Sequence, residues 1–215
     1  MAQFSLADLR QNYTRAGLQE NEVEENPINQ FQLWFDAAVA AELPEPNAMT
    51  LSTVSSSGRP SGRIVLLKGL DQRGFVFYTN YTSRKGQELA SQAWASLVFV
   101  WLPLERQVRI EGAVERVSQE ETEQYFYSRP RSSQLGAWAS DQSAEIRDRQ
   151  VLEDRLSQLE RQYADRPIPR PPHWGGLRVK PDLIEFWQGR PSRLHDRICY
   201  QKQSDGAWSI MRLAP

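Results

Sequence analysis

The chain has 215 residues, with 26 Lys and Arg against 27 Asp and Glu and a formal net charge of −1. That length suits one domain with helical additions and a real core. So balanced a charge leaves no global footprint for nucleic acid or an anionic membrane. The single cysteine, Cys199, rules out an intrachain disulfide. No long apolar run or signal-peptide pattern is present, which predicts a cytoplasmic protein without a membrane span. Seven Trp, seven Tyr and eight Phe are enough to fill a core and leave some rings to stack on a flat ligand.

Residues 1–25 read as a polar, acid-rich arm with one short helix. Asn26-Pro27 is an N-cap followed by proline at the first helical position. Ile28, Phe31, Trp34, Phe35 and Ala38 recur at helical spacing, so a helix is expected to run to about Leu43. From Met49 the pattern becomes strand-like: 49–54, then 62–70, a hairpin at Asp71-Gln-Arg-Gly74, and 75–79. Ser83 caps a helix over 84–91. Strands follow at 95–102 and 106–117. Val108, Ile110 and Val114 face one side of the second of these; Gln107, Arg109 and Glu111 face the other. Ser118 with Glu121 forms a capping-box pattern. A further helix is expected to start near Asp141 and to include Ile146, Val151, Leu152, Leu156 and Leu159. The proline-rich stretch 164–172 is a connector. Strands at 183–187 and 198–201 precede a hairpin at Asp205-Gly206 and a last strand over 208–213. No repeat appears, and no break marks a second domain within 26–215. Many antiparallel strands with a few helices predict a mainly β, α+β fold, most naturally a barrel that removes sheet edges.

No metal spacing is present, since His173, His195 and Cys199 are isolated from one another by type or distance. There is no Gly-x-Gly-x-x-Gly, Walker-type loop or nucleophile elbow. Four clusters remain. Arg63-Ile64-Val65-Leu66-Leu67-Lys68 brackets an apolar strand with cations. Composition alone favours a strand with solvated ends, and strict alternation would put Arg63 and Lys68 on opposite faces. Tyr78-Thr79-Asn80 through Ser83-Arg84-Lys85 sets hydroxyls and two cations at a strand-to-helix junction, which suits an anion or a plain polar loop. Tyr125, Arg129 and Ser133 recur every four residues, followed by Gln142-Ser143. They would share one helical face, but Pro130 predicts a break or kink. The last cluster, Glu185-Phe-Trp187 through Arg193-Leu-His195-Asp-Arg197, ends an aromatic strand in a loop of titratable groups, and it ranks first as a site.

Taken in order, these clusters resemble the pyridoxamine 5′-phosphate oxidase family. The resemblance runs from about Ile28 to Pro215 and includes Glu105-Arg-Gln107, Ser128-Arg-Pro-Arg131 and the ending Arg212-Leu-Ala-Pro215. Each piece is weak alone; the ordered set, above all the last cluster, is specific. The loop Gly189-Arg-Pro-Ser192 departs from the family pattern, with consequences for substrate preference or rate. Residues 1–25 match less clearly and are assigned no chemistry beyond a lid or dimer contact.

The resemblance implies a split β-barrel, a homodimer with FMN at the subunit interface, and oxidation of pyridoxamine or pyridoxine 5′-phosphate to pyridoxal 5′-phosphate. Dioxygen is the acceptor, giving hydrogen peroxide, and the amine also releases ammonia. It implies an FMN set of Arg63, Ile64, Val65, Leu66, Leu67, Lys68, Tyr78, Thr79, Arg84, Lys85, Gln107, Gln142, Ser143, Trp187 and Arg197. The substrate phosphate falls to Lys68, Tyr125, Arg129 and Ser133. Arg193 and His195, over the substrate ring, are the implied catalytic residues. Three rivals stand beside this: a flavin reductase of the same fold, a non-catalytic binder of FMN or pyridoxal 5′-phosphate, and a nucleic-acid-binding barrel, which the near-neutral charge disfavours.

Overall fold

The computed structural model describes residues 12–14 and 17–215; the short helix expected in the arm lies largely outside them. Among the described residues are nine strands and five α-helices, the α+β class expected. Helix α1 (Pro27–Ala40) begins where the sequence places it, with the Asn26 side chain accepting from the Ile28 N–H at 2.8 Å. It stops three residues short of Leu43, because Ala41 leaves helical geometry and Glu42 takes a left-handed φ of 52°.

The strands are β1 (Ala48–Val54), β2 (Pro60–Leu66), β3 (Gly69–Asp71), β4 (Gly74–Asn80), β5 (Trp94–Trp101), β6 (Arg106–Arg116), β7 (Trp174–Gln188), β8 (Asp196–Lys202) and β9 (Trp208–Arg212). Hydrogen-bonded neighbours run β2-β1-β5-β6-β7-β4-β3, with β8 on β7 and β9 on β8. The expected strand 62–70 is two strands. The ladder of β2 ends at Leu66, and the Lys68 N–H turns to the Val76 carbonyl at 2.8 Å. Strand β7 is far longer than the 183–187 expected. Gly175, Gly176 and Pro181 read as breakers, yet the glycines are there for close approach. A Cβ on Gly175 would lie 2.1 Å from the Tyr81 hydroxyl, and one on Gly176 2.5 Å from Val117.

Two compact units are distinguished. One holds the described residues up to Met49 with Leu97–Ile110 and Asp182–Pro215; the other holds Thr50–Ser96 and Glu111–Pro181. In the first, α1 packs Phe31 against Phe99 and Trp34 against Phe186, with ring centroids 4.9 and 5.2 Å apart. The β7–β8 ladder runs from Leu183 opposite Gln201 to Gln188 opposite Asp196. In the second, the β4–β7 ladder runs from Phe75 opposite Val179 to Asn80 opposite Trp174. Helices α2 (Arg84–Ser91), α3 (Gln119–Ser128), α4 (Arg131–Ala139) and α5 (Gln150–Gln162) belong to this unit. Phe126, Leu135, Ile168 and Trp174 form a satellite core beneath them. The Ser118–Glu121 capping box is present, and Pro130 separates α3 from α4. Helix α5 starts nine residues after Asp141, because Ser140 is extended and Ser143 is left-handed at φ 73°.

Candidate functional site

In the second unit a cavity of about 320 Å³ is lined by Arg63, Ile64, Val65, Leu66, Lys68, Tyr78, Thr79, Lys85, Tyr125, Arg129, Gln142 and Trp174. Strand β2 and the break after it bring Arg63 and Lys68 to one cavity, against the opposite faces that unbroken alternation requires. Leu67 points into the core at 8% exposure and is not among the lining residues. Strand β4 supplies Tyr78 and Thr79, the first turn of α2 supplies Lys85, and α3 supplies Tyr125. Arg129 sits at the C-cap of α3. Ser133, in the first turn of α4, does not line the cavity; the Pro130 break takes it off the face it would share on a continuous helix.

Among the described residues, four cations and no carboxylate line this cavity. Crowding like charges is unfavourable unless an anion answers them. Burial and the nearby Arg63 charge push the Lys85 ammonium pKa down, and burial likewise lowers that of Arg129. The Arg129 guanidinium lies 4.6 Å over the Trp174 ring. Its Nη1 is shielded from solvent and has no hydrogen-bond partner among the described residues. A buried orphan donor of this kind is costly, which points to a ligand oxygen. Tyr78 stacks on Tyr125 at 3.9 Å and on Trp174 at 5.4 Å. Burial pushes the Tyr78 hydroxyl up to about 12, so it remains a neutral donor, here to the Glu121 carbonyl at 3.3 Å. Gln142 Oε1 accepts from Lys85 at 2.7 Å and from Thr79 at 3.0 Å. That assignment leaves the amide N–H₂ as a donor. A neighbouring cavity of about 200 Å³ includes Arg84, Gln142 and Ser143.

In the first unit, β7 ends at Trp187 and Gln188, and a turn carries Ser192 and Arg193 at φ 58° and 62°. Two successive non-glycine residues in the left-handed region are strained, as functional turns often are. Arg193 is exposed. His195 lies 4.6 Å from the Trp187 ring. Its Nδ1 accepts the Arg190 N–H at 3.1 Å, which places the proton of the neutral ring on Nε2. Arg197 is held by Glu185 through two bonds of 2.9 and 3.0 Å and donates to the Ala214 carbonyl at 2.7 Å. That hydrogen bonding raises the Arg197 pKa. Gln107 is half-buried on β6 in this unit.

Sequence reasoning missed several contributors. Tyr13, in an arm given no chemistry, sits edge-on to Trp187 and to His195, with both centroid distances 5.7 Å. Trp174 follows a proline-rich connector and gave no strand signal. Glu88 and Glu185 are buried carboxylates that only tertiary packing distinguishes from solvated ones. Among the described residues no cluster of His, Cys, Asp and Glu is arranged for a metal. No helix there is long and apolar enough to cross a membrane.

Comparison with known proteins adds independent observations. Residues 35–163 match the family model described as pyridoxamine 5′-phosphate oxidase. Residues 174–215 match the pyridoxine 5′-phosphate oxidase C-terminal dimerisation region. The pyridoxine/pyridoxamine 5′-phosphate oxidase of Acaryochloris marina is 65% identical over 213 residues, covering 99% of this chain and 97% of the relative. That of Synechocystis sp. is 64% identical over 211 residues, with 98% of each chain covered. Among solved structures, PhzG from Burkholderia lata, in complex with tetrahydrophenazine-1-carboxylic acid, is 31% identical with a TM-score of 0.89. The alignment covers 95% of this chain and all of that one. A pyridoxamine 5′-phosphate oxidase-related, FMN-binding protein from Nostoc punctiforme shares the fold at 19% identity and a TM-score of 0.68, covering 86% of this chain and 97% of that one. The fold is thus the split β-barrel that the resemblance implied. Agreement along nearly the whole length of both chains, at nearly two identical residues in three, establishes that this chain belongs to the pyridoxamine 5′-phosphate oxidase family.

Proposed function

We propose that this protein is an FMN-dependent oxidase of vitamin B6 biosynthesis and salvage. It converts pyridoxamine or pyridoxine 5′-phosphate to pyridoxal 5′-phosphate, with dioxygen as acceptor and hydrogen peroxide as product; the amine also releases ammonia. The reading takes 26–215 as one oxidase domain, 1–25 as an arm, and a homodimer with FMN at the subunit interface. A C-terminal region matching the family's dimerisation region supports the dimer. The observation that carries the function is the carboxylate-free cavity with four cations and an orphaned Arg129 Nη1, in a chain so close to named oxidases.

The donors present fit two phosphates. Arg63 and Lys85, with Arg84 and Ser143 beside them, suit the flavin phosphate, and the Gln142 amide N–H₂, its oxygen held by Thr79 and Lys85, adds a neutral donor. Lys68, Tyr125 and Arg129 suit the substrate phosphate; Ser133, which the family resemblance adds to this clamp, lies off the lining of the cavity. Bound FMN supplies the two-electron acceptor that dioxygen reoxidises. The protein's part is to bind and orient. The clamp fixes one end of the substrate, so the reacting carbon is placed by geometry rather than by chance encounter. By the family resemblance Arg193 and His195 are the residues for the substrate ring, and the His195 Nε2–H is available as a donor. Gln107, Trp187 and Arg197 belong to the flavin set.

The test is a peroxide-coupled assay on FMN-loaded protein with each phosphate ester, following pyridoxal 5′-phosphate by absorbance. Both substrates should turn over. Arg193→Ala should lose activity by about a hundredfold while retaining FMN. Flavin binding without oxidation of either substrate would defeat the oxidase reading in favour of a carrier.

A further inference from the structure

Helix α2 carries a carboxylate where charge alone argues against one. Glu88 is 6% exposed, yet it lies among the cations assigned above to an anion. A negative group there weakens the pull on a phosphate, so its placement calls for a geometric reason. Glu88 Oε2 accepts from the Thr53 hydroxyl, from the Ser61 hydroxyl at 2.8 Å and from Arg63 Nη2 at 3.2 Å; its Oε1 accepts from Arg84 Nε at 2.9 Å.

The two arginines are held in opposite ways. Arg63 gives its terminal nitrogens to the protein: Nη1 to the Leu51 carbonyl and Thr53, Nη2 to Ser61 and Glu88. Only its Nε–H remains without a partner among the described residues. Arg84 gives its Nε to Glu88, and its terminal nitrogens have no hydrogen-bond partner among the described residues. Thr53 and Ser61 each accept from Arg63 and donate to Glu88, closing a circuit in which no member can turn alone. Arg63 lines the larger cavity and Arg84 the smaller, with Gln142 common to both. Burial pushes the Glu88 carboxyl up, but the bonds from Thr53, Ser61 and Arg84 outweigh it and hold the group at about 2. The acceptor is therefore fully charged at neutral pH.

We propose that Glu88 is the positioning residue of the flavin-phosphate subsite, fixing Arg63 to present its Nε–H and Arg84 to present its terminal fork. This rests on the FMN reading above. A glutamine at 88 accepts through one atom and donates through the other. Whichever way it sits, either Arg84 Nε or the Thr53, Ser61 and Arg63 group faces a donor.

The experiment titrates apoprotein with FMN and, separately, with riboflavin, which lacks the phosphate, following quenching of flavin fluorescence. Wild type should prefer FMN strongly. Glu88→Gln should weaken FMN by about tenfold and leave riboflavin within about twofold; Glu88→Ala should weaken FMN further. Riboflavin binding reports whether each variant still folds, and Glu88→Gln decides if the alanine variant does not. The proposal is overturned if Glu88→Gln binds FMN as wild type does, or loses both flavins in equal proportion, as a merely structural residue would. Equal wild-type affinity for the two flavins would remove the phosphate subsite itself and the FMN assignment with it. Wild-type preference with an unaltered Glu88→Gln would remove only the role of Glu88.

Discussion

Arg129 combines a charge, an orphan donor and an aromatic shelf in one side chain. Its Nη1 has no partner among the described residues, and Trp174 fixes the guanidinium plane from 4.6 Å. Arg129→Ala should therefore raise KM for either phosphate ester by about tenfold to a hundredfold while leaving FMN affinity near wild type; steady-state kinetics beside a flavin titration checks both. Arg129→Lys should recover little, because an ammonium keeps the charge but neither the fork nor the stacking. His195 makes a second prediction. With Nδ1 accepting from the Arg190 N–H, nitrogen NMR in alkaline solution should find the Nε2–H tautomer. The Nδ1–H form would show that the loop is arranged otherwise. The cation types at both places were legible in the sequence. Their partners were not, since Trp174 lies 45 residues from Arg129 and meets it only through the fold.

Helix ends were the most legible elements because their determinants are local. Asn26, Ser83 and Ser118 each cap as read. Ser118→Ala removes the acceptor of the Glu121 N–H at 3.1 Å and should cost about 1 kcal/mol in denaturant unfolding. Long-range approach was the least legible. A Cβ on Gly112 would stand 1.9 Å from the Lys180 carbonyl oxygen, a backbone atom that cannot swing aside. Gly112→Ala should destabilise by roughly 2–4 kcal/mol, toward the large-effect tail of single substitutions, and near-native stability would refute the close crossing. The same physics hid most of β7. Its glycines and Pro181 look like punctuation until the neighbours that demand them are in place. The helix expected from Asp141 is present as α5 but begins only at Gln150, for a local reason that composition hides: a left-handed serine at 143.

For the molecule as a whole, four carboxylates held below their ordinary range, Glu20, Asp71, Glu88 and Glu121, contribute to its response to acid. Glu20 is drawn down to about 2 by hydrogen bonds from Arg212. Glu88 is held at about 2 by Thr53, Ser61 and Arg84 against burial, which pushes it up. A carboxylate whose folded pKa lies below its ordinary value of 4.5 stabilises the fold above that value. The contribution fades as pH falls from there towards 2. Circular dichroism during acid titration should show stability dropping across that window, with a shallower fall in Glu20→Gln; an unchanged slope would exclude the Glu20–Arg212 pair as a contributor. Assembly is checked by light scattering, which should give twice the 24.8 kDa chain mass. By itself the sequence determined the α+β class, most strand positions, the caps and the chemical types of the site, because periodicity, capping and ordered clusters are local properties of the chain. Only the tertiary structure decided that Arg63 and Lys68 share a cavity while Ser133 does not. It alone showed that Tyr13 meets His195 and that Glu88 is buried between two arginines. Those outcomes depend on where a strand breaks, on which residues distant in sequence pack together, and on which charges lose their water.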